Sequence, residues 1–213
     1  MRMLAIETAT EACSVALFED GLEIDSRHAI LGRGHAEHLV PMIAELPDKG
    51  RAQQIRVSLG PGSFTGVRIG LAVAGALGVA WRSEVLGYPT LSLVAQMNDL
   101  TGALLPGSLD VADPPDFLVC MEGGHGEWFV QPFTAALHPA GPILSLPPRE
   151  AAARFDEAII VGSRAEEFAA LRGSGQTRTL LPDARYAGAL NLHHLTSKLT
   201  PIYGRAPDAR PPA

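Results

Sequence analysis

The sequence predicts an α/β fold in which three antiparallel strands are followed by alternating helices and strands. Short apolar runs with strand character fill the first 28 residues, and Asp20-Gly21 between the second and third runs is a typical two-residue hairpin turn. From residue 35, apolar residues recur at helical spacing, and helix-like and strand-like segments then alternate to residue 100. The pattern indicates a mixed sheet with helices packed against it.

The predicted elements of the first half are separated by glycine, proline and polar turns. Strands are predicted over residues 3–6, 13–18, 22–28, 55–59 and 84–88, and helices over residues 35–46, 65–80 and 91–100. Pro41 lies inside the first helix and is expected to bend it or to delay its start. Three antiparallel strands followed by right-handed crossovers are typical of the ribonuclease H-like sheet of actin-like and sugar-kinase proteins.

A loop of Gly, Pro, Ser and Asp at residues 101–115 predicts a boundary between two subdomains, residues 1–102 and 103–213. Beyond it, a hairpin is predicted over residues 117–121 and 128–133, helices over 147–155 and 184–198, and a strand over 158–162. The tail from residue 201 carries four prolines and is expected to be extended or disordered at its end. The second subdomain is therefore predicted to be a reduced, degenerate relative of the first.

Composition and charge exclude several classes of protein. The chain has 46% hydrophobic and 19% charged residues, as ordinary globular domains do, and no membrane span or signal peptide is expected. A net charge of −6 disfavours attraction to phosphate backbones, so any nucleic acid is expected to be held by another subunit. Two cysteines far apart, Cys13 and Cys120, fit a reducing cytoplasm.

The helix predicted over residues 65–80 is unusually rich in glycine. Each glycine costs such a helix roughly 1 kcal/mol relative to alanine, so packing rather than propensity must explain them. Four small residues recur every fourth position and form one nearly side-chain-free stripe: Gly66, Gly70, Ala74 and Gly78. The stripe predicts close approach of another helix, either within the core of this chain or from a partner. The sequence leaves both alternatives open.

The segment before this helix and the turn after the first strand together suggest a degenerate nucleotide loop. Glycines at a helix N-terminus can bind an anion, but the Lys-Ser/Thr of a P-loop is missing, so a tight helix entry is the favoured interpretation. Actin-like nucleotide sites have Asp-x-Gly-Thr in the turn, where this chain has a longer carboxylate and an alanine, so direct ATP hydrolysis is not expected. The loop residues are Glu7, Thr8, Thr10, Gly60, Gly62 and Ser63.

A metal site is not expected. His35 and His38 have i, i+3 spacing on a predicted helix, but no third ligand lies nearby in the sequence. His193 and His194 are adjacent and would point apart on a helix. No cofactor is predicted.

Three segments closely resemble the TsaB (YeaZ) family of bacterial threonylcarbamoyladenosine biosynthesis proteins. They are MLAIETAT at residues 3–10, CSVAL at residues 13–17, and above all GPGSFTGVRIG at residues 60–70. The resemblance is dense to about residue 95, thins through residues 98–200, and returns faintly at residues 201–205 as the family's closing Pro-x-Tyr-x-Arg.

The resemblance implies a non-catalytic member of the actin-like ATPase superfamily that binds its larger paralogue TsaD. TsaD transfers a threonylcarbamoyl group to N6 of the adenosine at position 37 of tRNAs that read codons beginning with A, and the small ATPase TsaE completes the assembly. The family also implies a homodimer when TsaB is alone, through much the same surface, and contact with tRNA only through the complex.

The same resemblance implies that the helices over residues 35–46 and 65–80 form the interface. The expected partner-binding residues are His35, Leu39, Met42, Ile43, Thr65, Gly66, Arg68, Ile69, Gly70, Val73, Ala74 and Leu77.

Two departures from the family pattern are visible. The family usually has aspartate in place of Glu7, and its Asp-Ala-Arg-x-Gly-Glu turn is replaced at residues 122–127 by EGGHGE, which lacks the arginine. Two enzymatic alternatives remain. A small actin-like ATPase or phosphotransferase would use Thr8, Thr10 and the Gly60 loop, whereas a metalloprotease-like activity would need a metal for which no ligand set is present.

Overall fold

Two five-stranded sheets, each with helices packed against it, form the chain in the computed structural model, which describes residues 1–102 and 115–204. The first subdomain contains the strands β1 (Arg2–Glu7), β2 (Ala12–Glu19), β3 (Leu22–Ile30), β4 (Gln54–Ser58) and β5 (Glu84–Tyr88) and the helices α1 (His35–Ala44), α2 (Phe64–Trp81) and α3 (Thr90–Gly102). Every strand and helix predicted for this half is therefore confirmed, with small shifts at the ends.

The first sheet has the order β3-β2-β1-β4-β5. β1 pairs antiparallel with β2 and β2 antiparallel with β3, whereas β4 pairs parallel with β1 and with β5. The three-stranded meander followed by parallel crossover strands confirms the predicted actin-like, ribonuclease H-like sheet.

Alternation along the central strands separates two layers of core. In β1, Leu4 and Ile6 pack under α1 and α2, while Met3 and Ala5 face the other side of the sheet. That second side is covered by α3 and by residues 184–190 from the far end of the chain. The helices α1 and α2 consequently share one face of the first sheet.

The second subdomain is a smaller sheet with the order β10-β9-β6-β7-β8. Its elements are β6 (Phe117–Gly124), β7 (Glu127–Phe133), β8 (Leu144–Leu146), α4 (Pro148–Arg154), β9 (Ile159–Val161), α5 (Ala165–Arg172) and β10 (Gln176–Arg178). The predicted hairpin, the first of the two predicted helices and the strand are confirmed, whereas β8, α5 and β10 are not anticipated by the sequence pattern. The boundary predicted at residues 101–115 lies largely outside the described residues and stays a prediction.

The helix predicted over residues 184–198 is wrong. The segment forms two short 3₁₀ turns, Ala184–Ala189 and Leu192–His194, separated by extended residues. Its apolar side chains cover the first sheet, where a Cβ at Gly188 would lie 2.6 Å from the ring of Phe18. Burial of these side chains against the sheet therefore overrides the local helical pattern. Residues 201–204 have no regular structure, and the rest of the tail lies outside the described residues.

Candidate functional site

The helix α2 begins directly after the glycine loop and runs across the first sheet for 18 residues. Ser63 is its N-cap, and the Ser63 hydroxyl accepts a hydrogen bond of 3.2 Å from the N–H of Gly66. At the other end Arg82 adopts the left-handed conformation, and its N–H bonds to the carbonyl of Gly78. Both ends are thus fixed by local hydrogen bonds.

The small-residue stripe of α2 faces its own sheet. A Cβ added at Gly66 would overlap the carbonyl oxygen of Thr8, and one at Gly70 would overlap the Thr8 hydroxyl. At Gly78 it would lie 2.5 Å from a methyl group of Val85. The stripe therefore allows close packing of α2 on the strands. Gly66, Gly70 and Ala74 are buried inside this chain, and their predicted contact with a partner stays a prediction.

The opposite face of α2 is apolar and open. Thr65, Arg68, Ala72, Ala76 and Val79 are exposed, Val79 to 83%. Of the other predicted interface residues, Ile69, Val73 and Leu77 are half-buried at the margins of this face. By length and composition α2 could cross a membrane, yet 28% of it is buried inside the chain, on the glycine side that packs on the sheet. The described part of the chain thus leaves this face, which is mainly apolar and built of small side chains, exposed to solvent.

Gly75 lies on this open side, and nothing in the described chain explains it. A Cβ built at Gly75 meets no heavy atom within 4 Å, whereas the glycines of the buried stripe are tightly packed. Its backbone is helical, so no unusual conformation demands glycine. A helix-interior glycine costs roughly 1 kcal/mol relative to alanine, and no packing contact in the described chain compensates for this cost.

The helix α1 contributes mainly core residues. His35, Leu39, Met42 and Ile43 are buried inside this chain, and their predicted contact with a partner stays a prediction. They face inward because three- and four-residue spacing places them on the stripe that meets the sheet. The outward side of α1 presents Val40, which is 53% exposed.

The two histidines of α1 each lie close to a backbone carbonyl oxygen. The His35 Nε2 lies 3.3 Å from the carbonyl oxygen of Ala12, and the His38 Nδ1 lies 2.8 Å from that of Gly34. In residues 1–102 and 115–204, no group of three His, Cys, Asp or Glu side chains is arranged to hold a metal ion.

The turn after β1 and the glycine loop lie side by side and pack closely against each other. The Thr8 hydroxyl donates to the carbonyl of Gly66 at 2.8 Å, and the N–H of Ser63 donates to the carbonyl of Ala9 at 2.6 Å. A Cβ at Gly62 would overlap the backbone of Ala9. Three backbone donors of the loop are therefore paired within the chain: that of Gly60 to Ser58 Oγ, and those of Ser63 and Gly66 as described above.

Two further residues of the turn complete the predicted nucleotide set. The Thr10 hydroxyl accepts a hydrogen bond of 3.2 Å from the N–H of Ala12 and so stabilises the turn. Glu7 is fully buried: one carboxylate oxygen accepts from the N–H of Ala9 at 2.7 Å, and the other has no hydrogen-bond partner among the described residues. Burial raises the pKa of Glu7 to about 7, and the Ala9 N–H opposes the shift.

An aromatic and arginine cluster lies at the N-terminal end of the open face of α2. The Arg68 guanidinium carbon lies 3.3 Å from the centroid of the Phe64 ring, and its Nη2 donates a 2.8 Å hydrogen bond to the Tyr203 hydroxyl. The rings of Phe64 and Tyr203 are 5.7 Å apart. Arg68 is in the predicted interface, but Phe64 and Tyr203 are not. The i, i+4 spacing of Phe64 and Arg68 is a usable sequence signal for that pair, whereas Tyr203 is marked only by its place in the Pro-x-Tyr-x-Arg motif.

Comparison with known proteins gives one family match and several relatives. The model of the family TsaD: tRNA N6-adenosine threonylcarbamoyltransferase matches residues 29–169. The chain is 41% identical over 101 residues to the tRNA threonylcarbamoyladenosine biosynthesis protein TsaB of Escherichia coli, an alignment that covers 45% of this chain and 43% of that protein. The chain thus spans less than half the length of that relative. An uncharacterized protein of Mycobacterium tuberculosis is 30% identical over 98% of this chain and 94% of its own length.

Solved structures agree on the fold. YeaZ from Pseudomonas aeruginosa matches with a TM-score of 0.75 and 26% identity, covering 95% of this chain and 99% of that chain. The ethanolamine utilization protein EutJ from Carboxydothermus hydrogenoformans matches with a TM-score of 0.51 and 10% identity over 90% of each chain, which is evidence for the fold alone.

Proposed function

This chain belongs to the TsaB (YeaZ) family, which the TsaD family model also matches, and on that premise we propose that it is a non-catalytic scaffold subunit that binds and activates TsaD. The complex would form N6-threonylcarbamoyladenosine at position 37 of tRNAs in the cytoplasm. TsaE would join the assembled complex, and the chain alone would form a homodimer through the same surface. The tRNA would be contacted through the complex.

The observation that carries this proposal is Gly75 on the open face of α2. The helix tolerates the cost of a glycine there although the chain itself has room for a side chain. Close approach by a helix of another subunit supplies the missing reason, because small residues let two helix backbones come near each other. Ala72 and Ala76 beside it, both exposed, extend the same small-residue surface.

The closed glycine loop supports a non-catalytic role. Its N–H groups at Gly60, Ser63 and Gly66 bond within the chain, so binding a phosphate there would first require these bonds to break. The carboxylate of Glu7 is buried beneath the loop rather than presented to solvent. Chemistry is therefore assigned to the partner, and we expect no ATP turnover by the purified chain.

The proposal is tested by light scattering on the purified chain, alone and with TsaD of the same organism. The expected result is a homodimer that converts to a one-to-one complex. Gly75→Leu should prevent both assemblies while leaving the chain folded, because its new side chain projects into the surface where a partner helix would lie. Ala76→Arg, which places a charge on the same face, should act likewise.

Ala170→Leu is the matched control, since Ala170 is exposed on α5 of the second subdomain. It should assemble as the unaltered chain does. Enlarging Gly70 or Ala74 would not test docking, because both are buried against the sheet. A chain that ignores TsaD, or a Gly75→Leu variant that binds TsaD as well as the unaltered chain, would contradict the proposal.

A further inference from the structure

We propose that Phe64, Arg68 and Tyr203, here called the aromatic anchor, form the energetic centre of one end of the docking surface and accept an acidic side chain from the partner subunit. This inference rests on the proposed function, since it takes TsaD to be the partner. It extends the docking surface beyond α1 and α2 to Tyr203, a residue that does not belong to the first subdomain.

The chain holds Tyr203 in place through backbone pairing just before it. The N–H of Ile202 donates a 2.7 Å hydrogen bond to the carbonyl of Leu59, at the end of β4. Gly60, with φ of +86°, lies so close that a Cβ there would be 3.1 Å from the carbonyl oxygen of Ile202. Farther back, Thr196 and Gly87 exchange two backbone hydrogen bonds. The segment over residues 196–202 is therefore held by backbone hydrogen bonds, and it positions Tyr203 beside α2.

The anchor is exposed although it is largely aromatic. Phe64 is 60% exposed and Tyr203 is 47% exposed. Neither ring is needed to fill the core. Burying the two rings against another protein would remove their exposed apolar surface from water, which favours binding. Tyrosine and arginine are among the residues that most often dominate binding energy at protein interfaces.

Arg68 has donors to spare. One face of its guanidinium lies on Phe64, and one N–H reaches the Tyr203 hydroxyl. None of the ion pairs in the described part of the chain involves Arg68. Stacking fixes the plane of the guanidinium, and a fixed guanidinium with free N–H groups is suited to a carboxylate. A glutamate or aspartate on the partner would complete the site.

Position and charge favour a protein over RNA as the occupant. Arg68 lies one helical turn from Ala72 and two from Ala76, so the anchor continues directly into the apolar face of α2. Stacked aromatics with an arginine also suit an unpaired base, but a chain of net charge −6 repels the phosphates beside that base.

The test measures the affinity of purified variants for TsaD by calorimetry, with melting curves to check folding. Phe64→Ala and Tyr203→Ala are each expected to raise the Kd for TsaD about tenfold or more, without a shift in melting temperature. Arg68→Gln should weaken it, and Arg68→Glu should weaken it further because two carboxylates would then face each other. Leu192→Ala, which truncates a side chain that is 75% exposed outside the surface, is the control and should bind normally.

Salt gives a second readout that packing alone does not produce. Raising the ionic strength should weaken TsaD binding by the unaltered chain more than binding by Arg68→Gln, because only the former makes the ion pair. Wild-type affinity in all four anchor variants, with binding still lost in Gly75→Leu, would overturn this inference and leave the proposed function standing. Failure of the unaltered chain to bind TsaD would overturn both. Loss of tRNA binding with unchanged TsaD binding would assign the anchor to RNA and also overturn it.

Discussion

The hydroxyl of Thr8 donates a 2.8 Å hydrogen bond to the carbonyl oxygen of Gly66, which joins the turn after β1 to the first turn of α2. Both residues are buried, and the backbone of Gly66 passes against the carbonyl of Thr8 so closely that no Cβ fits between them. The contact sets the height of α2 above the sheet. It also decides which face of the helix is turned outward.

Gly66→Ala is therefore expected to destabilise the chain strongly. Its Cβ would overlap the carbonyl oxygen of Thr8, which is a backbone atom, so no flexible side chain can relieve the clash. Overpacking of this kind costs about 3 kcal/mol or more where no flexible side chain can yield. Urea unfolding measures the loss, and an unchanged midpoint would show that α2 can slide on the sheet.

Gly75→Ala is expected to act in the opposite direction. The added methyl group meets no neighbour within 4 Å, so the helix gains propensity without strain. The free energy of unfolding should rise by about 1 kcal/mol in urea unfolding at protein concentrations low enough to keep the chain monomeric. A loss of stability at this position would mean that the open face of α2 is already covered in the folded chain.

Glu7 is expected to make stability depend on pH. Its pKa rises from 4.5 to about 7 on folding because the carboxyl group is buried, so the folded state holds a proton that the unfolded state releases. The stabilisation is fully present below pH 4.5 and is lost as pH rises through 7, with a total of about 3 kcal/mol. Folding is thus weakened, not strengthened, at higher pH by this group.

The measurement compares unfolding free energies of the unaltered chain and Glu7→Gln between pH 4.5 and 8.5. As the pH rises, the unfolding free energy of the unaltered chain should fall relative to that of Glu7→Gln, because the amide cannot ionise. Glu37→Gln, on the exposed side of α1, is the control and should follow the unaltered chain. Parallel pH profiles for Glu7→Gln and the unaltered chain would indicate that Glu7 is ionised in the fold.

Ser14 is expected to hold the returning end of the chain on the first sheet. Its buried hydroxyl accepts a 2.9 Å hydrogen bond from the N–H of Ala184, where the segment over residues 184–190 begins to cover the strands. Ser14→Ala leaves that buried N–H unpaired, at a cost of about 1–3 kcal/mol. Urea unfolding and faster proteolytic cleavage near residue 184 would report it. Ser26→Ala, on the edge strand β3, should leave both unchanged.

Much of the first subdomain could be predicted because its signals are local. The Asp20-Gly21 turn, the apolar runs of β1 and β2, and the periodic apolar residues of α1 each lie within a few residues of the structure they specify. The same reasoning fails at residues 184–198, where the helical pattern is overridden by contacts with Phe18 and other residues more than 150 positions away.

The candidate surface could be predicted only in part. The sequence correctly singles out α2 as a helix whose glycines need a packing reason, but it leaves open whether the core of this chain or a partner supplies that reason. The stripe residues pack on the first sheet: Gly66, Gly70, Ala74 and Gly78. Gly75 does not belong to this four-residue repeat and faces the open side. Spacing alone shows that residues share a face and not what that face meets.

The sequence by itself determined the order of strands and helices, the glycine-loop entry into α2 and the family, because these depend on near neighbours and on short motifs. Only the tertiary structure decided which side of α2 is buried, that Glu7 is fully buried, and that Tyr203 meets Arg68 across 135 positions of chain. The physical reason is that such contacts arise when distant segments compete to cover the same sheet. No periodicity in the sequence records the outcome of that competition.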